Sequence, residues 1–256
     1  MTTSSVVVHR DAELLAQAVA ARLIVRLIDA QAKRGTAGVV LTGGRIADRI
    51  HKAVRDSPAR DAVDWSLVDF WWGDERFLPS GDAERNETQV RESLLSALPV
   101  EPKRVHAMPA SDGPDGEDPE AAAARYAADL ADAAPGDLDL PVFDVVMLGV
   151  GEDGHVASLF PGHPAVYDER TAVAVRGAPK PPPTRVSLTH RAINSGREVW
   201  LLGSGFGKAT AVGRALSGGG PVQIPAAGAH GTKATRWLLD ADAAIELPPR
   251  FHSLNK

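Results

Sequence analysis

Three features of this sequence predict an α/β fold, built on a mostly parallel sheet with helices on both faces. Short β-branched runs alternate with stretches of helical apolar spacing along nearly the whole chain. Three of the runs end in glycine-rich loops: Leu41-Thr42-Gly43-Gly44, then Leu148 onward to His155, then Leu202 onward to Lys208. No linker, internal repeat or low-complexity segment longer than the PKPPP stretch at 179–183 breaks the pattern, so one domain over 1–256 is expected.

The elements follow in order. Residues 6–8 read as an edge strand. Across 11–33, Leu14, Leu15, Ala18, Val19, Leu23, Val25, Leu27 and Ile28 recur at helical spacing, with Asp11 as N-cap and Gly35 as stop. Residues 38–41 form a short buried strand, and a helix over about 46–54 follows its glycines. The strand at 65–72 runs into Gly73-Asp74-Glu75-Arg76. A helix is expected over 84–98, then a surface loop rich in Pro, Gly and Asp over 101–118. An alanine-rich helix over 119–133 leads to the strand 143–148. Further strands are expected at 171–175, 184–189, 198–202 and 237–239, and a helix over 208–216.

Bulk properties exclude several classes. Lys plus Arg number 28 and Asp plus Glu 33, a net charge of −5, which leaves no basic footprint for nucleic acid or an anionic membrane. With no cysteine, disulfides, thiolate catalysis and Cys-ligated zinc are ruled out. The opening MTTSSVVVHRDAELL lacks a basic stretch followed by an apolar core, and no apolar run approaches the roughly 20 residues of a membrane span. A cytoplasmic protein is expected. The histidines show no metal-ligand spacing, so no metal site is expected.

Gly149, Gly151 and Gly154 spell G-x-G-x-x-G after a hydrophobic strand, the dinucleotide fingerprint in its usual setting. The surroundings contradict that reading. Pro161, Gly162 and Pro164 stop any helix after about two turns. The following strand ends in Arg176-Gly177 without the acid that would hold a ribose, and Asp153 would put a carboxylate against the pyrophosphate. What remains is His155 at the start of a short helix, between glycines and beside Asp153. An imidazole there can take a proton from water and return it to a leaving oxygen. At the ends of parallel strands, backbone N–H groups and helix N-termini favour anions. Asp74, Glu75 and Arg76 come to the same side, so a polar pocket for a phosphorylated small molecule is expected.

The segments TGG (42–44), WWGDER (71–76), FDVVMLGVGEDGHVASLFPG (143–162), PPPTRVSLT (181–189) and EVWLLGSGFGKA (198–209) resemble, in order, the 6-phosphogluconolactonase family. The G-x-G-x-D-G-H-x-A-S-L-F-P block is the specific part. The resemblance implies a Rossmann-like fold without a nucleotide, shared with glucosamine-6-phosphate deaminase. It also implies hydrolysis of 6-phosphoglucono-δ-lactone in the oxidative pentose phosphate pathway, without a metal or organic cofactor. It places the general base at His155 with Asp153 beside it. Arg76 becomes a candidate for the carbonyl oxygen or the phosphate, with Asp74 in the same loop. The phosphate is expected at Gly43 and Gly44 with Arg185 and Lys208, and Asn86 near the sugar. The family commonly has Ser where this chain has Arg45, so Arg45 is expected to supply charge in place of a hydroxyl.

Two other functions compete. A deaminase-type isomerase would carry Ala-Phe-Asn-Glu-Pro after the histidine loop, whereas this chain reads Ala157-Ser158-Leu159-Phe160-Pro161 and lacks that glutamate. A sugar-phosphate-sensing regulator would carry a basic helix-turn-helix ahead of the first glycine-rich strand, where this chain has one amphipathic helix. The expected partner is therefore a small sugar-phosphate lactone, with no nucleic acid or membrane, bound by a monomer or small homo-oligomer.

Overall fold

The computed structural model describes residues 3–251; residues 1–2 and 252–256, the two ends of the expected domain, lie outside the described residues. In chain order the elements are β1 (Thr3–His9), α1 (Ala12–Arg34), β2 (Ala37–Leu41), α2 (Arg45–Asp56), β3 (Val68–Trp72), β4 (Asp74–Arg76), α3 (Asn86–Ser93), β5 (Val105–His106), α4 (Pro119–Asp132), β6 (Val145–Gly149), β7 (Ala172–Val175), β8 (Arg185–Leu188), α5 (His190–Ile193), β9 (Glu198–Gly203), α6 (Ala209–Leu216), α7 (Pro225–Gly228) and β10 (Ala234–Asp240).

Seven strands make one sheet in the order β1-β10-β9-β6-β2-β3-β5, every pair parallel. Parallel strands need crossovers, and the helices supply them. Residues of β2 and β9 are buried throughout, so both faces of the sheet are covered. Trp71 points to the face where Tyr126 of α4 meets it edge-on, 6.0 Å between centroids. Its neighbour Phe70 points the other way and stacks on Trp65. On the chain's path, β2 leads to β3 and β5 on one side, while β6, β9 and β10 build out on the other. The C-terminal ends of β2 and β6 thus form a topological switch point, where loops diverge and leave a crevice.

Helix α1 starts and stops where the sequence indicates. Asp11 accepts the Leu14 N–H at 2.9 Å, and Gly35 ends the helix at φ 81°. Opposite the crevice, the buried carboxylate of Asp144 accepts from Arg34 at 2.5 Å and from the Gly38 N–H at 3.0 Å, fixing β2 against β6.

Several expectations are corrected. Residues 65–67 form a 3-10 turn capped by Asp64, so the strand starts at Val68. The helix over 84–98 shortens to α3 followed by a 3-10 turn at Leu95–Ala97. Within the expected loop 101–118, Val105 and His106 pair with β3 as an edge strand. A second sheet, β4-β8-β7, is antiparallel, with Asp74 opposite Ser187 and Arg76 opposite Arg185. The short helix after His155 does not form. Instead the Gly151 N–H donates to the His155 carbonyl at 2.8 Å, and Val156 bridges Leu159 around Ala157 at φ 49°. Asp153 accepts the His155 N–H as a helix N-cap would, but positive φ at Gly154 (88°) and Ala157 (49°) takes the chain out of the helical region on either side of His155. Lys208 ends a 3-10 turn (Phe206–Lys208) and is the residue before α6.

Candidate active site

The crevice at the switch point opens into a cavity of about 450 Å³. Loops after β2, β6 and β9 form its floor, and the second sheet brings in the opposite wall. Of the residues singled out in the sequence, His155, Arg76, Gly43, Gly44, Arg45, Asp74, Asn86, Arg185 and Lys208 all line it. Asp153 stands behind His155, holding its ring.

His155 Nδ1 lies 2.5 Å from Asp153 Oδ1, and the same oxygen accepts the His155 backbone N–H at 3.2 Å. Burial alone would raise the Asp153 pKa, but the hydrogen bonds and charge of His155, with help from Lys180, hold it at about 2. A carboxylate that stays ionised can only accept, so Nδ1 carries the proton of this bond, and in the neutral ring Nε2 is the acceptor. The ring rests against Phe160, 4.7 Å between centroids, and Arg185 lies over the same phenyl ring at 6.0 Å.

Cations dominate the walls. Arg185, nearly buried, donates to the carbonyls of Lys180, Pro181 and Pro182 and faces Asp74 Oδ2 at 3.9 Å. The strand pattern around it reads as solvent-facing; the second sheet is what buries it. Burial lowers its pKa, and so does Arg76, while Asp74 opposes. Lys208 is likewise lowered, first by burial, then by Lys180 and Arg45, with Glu152 and Asp153 opposing. Cations that push on one another around a cavity mark a place for an anion. Arg76 pairs with neither Asp74 nor Glu75; Nη1 donates to the Glu84 carbonyl, and its Nε is buried without a partner. Asn86 Nδ2 donates to the Asp74 carbonyl at 2.8 Å, while its Oδ1 is buried and unpartnered. One orphan donor and one orphan acceptor on the same wall suit a ligand that offers both. Asp74 Oδ2 accepts from Ser158 Oγ at 2.7 Å, which fixes the histidine loop to β4.

Sequence reasoning missed Arg49, Lys180 and Ser204, all on the cavity wall. Arg49 stands one turn beyond Arg45 on α2, a spacing that could have revealed it. Lys180 lies in PKPPP, which reads as mere loop composition. Ser204 and Gly205 are held by Asp240 at the end of β10, a long-range contact with no local signal. Among the described residues, no group of three or more His, Cys, Asp or Glu side chains is placed to hold a metal ion. None of the described helices is long and apolar enough to cross a membrane.

An α/β sheet with a histidine–carboxylate pair and a cation-lined crevice at its switch point defines a class of enzymes acting on small phosphorylated substrates. Residues 10–237 match the family described as glucosamine-6-phosphate isomerases/6-phosphogluconolactonase, and the chain belongs to that family. It is 60% identical over 249 residues to a 6-phosphogluconolactonase of Streptomyces coelicolor, covering 96% of this chain and 95% of that one. A solved 6-phosphogluconolactonase of Trypanosoma brucei superposes with a TM-score of 0.80 at 26% identity, covering 97% of this chain and 100% of that one. A monomeric glucosamine-6-phosphate deaminase shares the fold, with a TM-score of 0.77 at 22% identity over 96% of this chain and 100% of the other.

Proposed function

We propose that this chain hydrolyses 6-phosphoglucono-δ-lactone to 6-phosphogluconate in the pentose phosphate pathway, with His155 as general base. The observation that carries the reading is the His155–Asp153 pair beside a cavity lined by Arg45, Arg49, Arg76, Lys180, Arg185 and Lys208. Nε2 takes a proton from water, and the hydroxide attacks the lactone carbonyl carbon. Arg76 stabilises the oxyanion, since a fixed guanidinium with an unused Nε–H suits a developing negative charge. As the intermediate collapses, the bond from the carbonyl carbon to the ring oxygen breaks, and the imidazolium returns its proton to that oxygen. Asp153 steadies the imidazolium throughout.

The phosphate takes the far end, on the backbone of Gly43 and Gly44 with Arg45, Arg49, Arg185 and Lys208. Gly44 precedes α2 at φ 98°, and α2 has no side-chain cap, so its first N–H groups are free for an anion. Asp74 and Asn86 meet the sugar hydroxyls. The chain acts as one domain, as a monomer or small homo-oligomer in the cytoplasm, on a small-molecule substrate without nucleic acid, membrane or cofactor.

In a pH-stat assay with freshly generated lactone, His155→Ala is expected to lose about 10²- to 10⁴-fold in kcat with KM little changed. A His155→Ala chain that keeps wild-type turnover would remove His155 from the mechanism. Ammonia release from glucosamine 6-phosphate would point to the deaminase chemistry instead.

A further inference from the structure

We propose that Glu75 is a positioning residue: its carboxylate ties β4 to the first turn of α3 and so holds Arg76 and Asn86 at the cavity wall. The inference rests on the sugar-phosphate reading of that cavity. Glu75 is fully buried, yet it touches no ligand space. Oε1 accepts the N–H of Arg76 at 2.8 Å and of Asn86 at 2.7 Å; Oε2 accepts the N–H of Glu87 at 2.8 Å.

Two of those three donors are the first N–H groups of α3, which no residue of the helix can satisfy. The residue at the N-cap is Arg85, which has no acceptor, and it makes no side-chain cap bond. Its guanidinium goes to the carbonyls of Leu78 and Met108 and comes within 3.8 Å of Glu75 Oε2. Glu75 thus caps α3 from 11 residues upstream. The same carboxylate carries the backbone of Arg76, so one group sets the spacing between two wall residues. Asn86 Nδ2 on the Asp74 carbonyl and Arg76 on the Glu84 carbonyl continue the seam. Asn86 also packs directly on Gly43, where any side chain would overlap it, so a shift of α3 would reach the β2 loop.

The seam is sensitive to charge. Burial pushes the Glu75 carboxyl up to about 7, against Arg85 and the three N–H groups, which favour the ion. The titratable and charged groups around it are Arg85 at the N-cap of α3, Asp74 and Arg76 on its own strand, Arg185 from β8 and Tyr126 from α4, while Glu87 meets it through its backbone N–H and turns its carboxylate to Arg91. A protonated Glu75 offers a weaker acceptor to the helix dipole and the N–H groups, and the wall loosens.

The test combines a variant with a measurement on the wild type. By calorimetry, Glu75→Gln is expected to bind 6-phosphogluconate about tenfold more weakly than wild type near pH 8 and within about twofold near pH 6. Comparing the two proteins at each pH cancels the ligand's own ionisation. An affinity ratio that stays constant across pH would mean a merely structural role and overturn the proposal. In the wild type, the backbone amide signals of Arg76, Asn86 and Glu87 should titrate together with one midpoint near neutrality. If they move independently or not at all, the proposal falls even should Glu75→Gln fail to fold. If the wild type binds no 6-phosphogluconate while the three amides still titrate together, the substrate reading fails and the seam stands.

Discussion

A side chain at Gly151 would overlap His155 Nδ1 and Cε1 and Asp153 Oδ1. Gly154 sits at φ +88°, and a Cβ there would press on Ile224 at 2.9 Å. Gly149 meets nothing closer than 3.8 Å. The three glycines of the G-x-G-x-x-G pattern therefore do different work, and the central one makes room for the His155–Asp153 pair. Gly151→Ala is expected to displace the ring and cut kcat about 10²-fold or more, since about 1 Å of misplacement costs that much. The backbone φ at Gly151 is not in the left-handed region, so the fold should persist. Steady-state kinetics beside a thermal melt check this; an unimpaired kcat would show that the pair can move without loss.

At the scale of elements, the strands ending in glycine and the capped helix α1 were legible because their signals are local. Asp11 and Gly35 bracket one amphipathic run, β2 and β6 are continuous apolar segments, and β9 is apolar after Glu198. The second sheet was not legible: three residues, Asp74–Arg76, pair with residues 185–187 more than 100 positions away. That pairing buries Arg185, which strand alternation alone places in solvent. The histidine loop was legible as residues but not as a shape, because the positive φ at Gly154 and at the non-glycine Ala157, which no local sequence signal marks, breaks the expected helix. The Arg45–Arg49 pair belongs to this scale as well. Both line the cavity from one face of α2, and the acidic residue between them, Asp48, is paired with Lys52 at 2.8 Å. Arg45→Ala and Arg49→Ala are each expected to raise KM about tenfold and to change kcat less than about threefold. On unphosphorylated glucono-δ-lactone neither should alter kcat/KM by more than about twofold. An equal loss on both lactones would move the arginines from the phosphate to the ring.

Across the whole molecule, two buried groups with opposite protonation preferences shape acid stability. His51 on α2 is fully buried with Nε2 unpartnered, and burial lowers its pKa to about 4, against a small opposing pull from Asp48. The unfolded chain takes up that proton near pH 6.5, so from there down to about pH 4 the unfolded state binds more protons. Stability falls over that window by up to about 3 kcal/mol. Glu75 works the other way. Its folded pKa of about 7 stands above the unfolded value of 4.5, so the folded state binds more protons between them. Stability therefore rises as pH falls through that window, by a similar amount of about 3 kcal/mol. Between about pH 6.5 and 4.5 the two slopes oppose and nearly cancel. Removing either group should unmask the other. Relative to wild type, Glu75→Gln is expected to lose urea resistance more steeply on acidification, and His51→Leu to lose it less steeply or gain it. Urea unfolding at several pH values within that window reads both slopes, and every other titrating group is common to the three proteins. If both variants run parallel to the wild type through the window, neither buried group carries the linkage assigned to it.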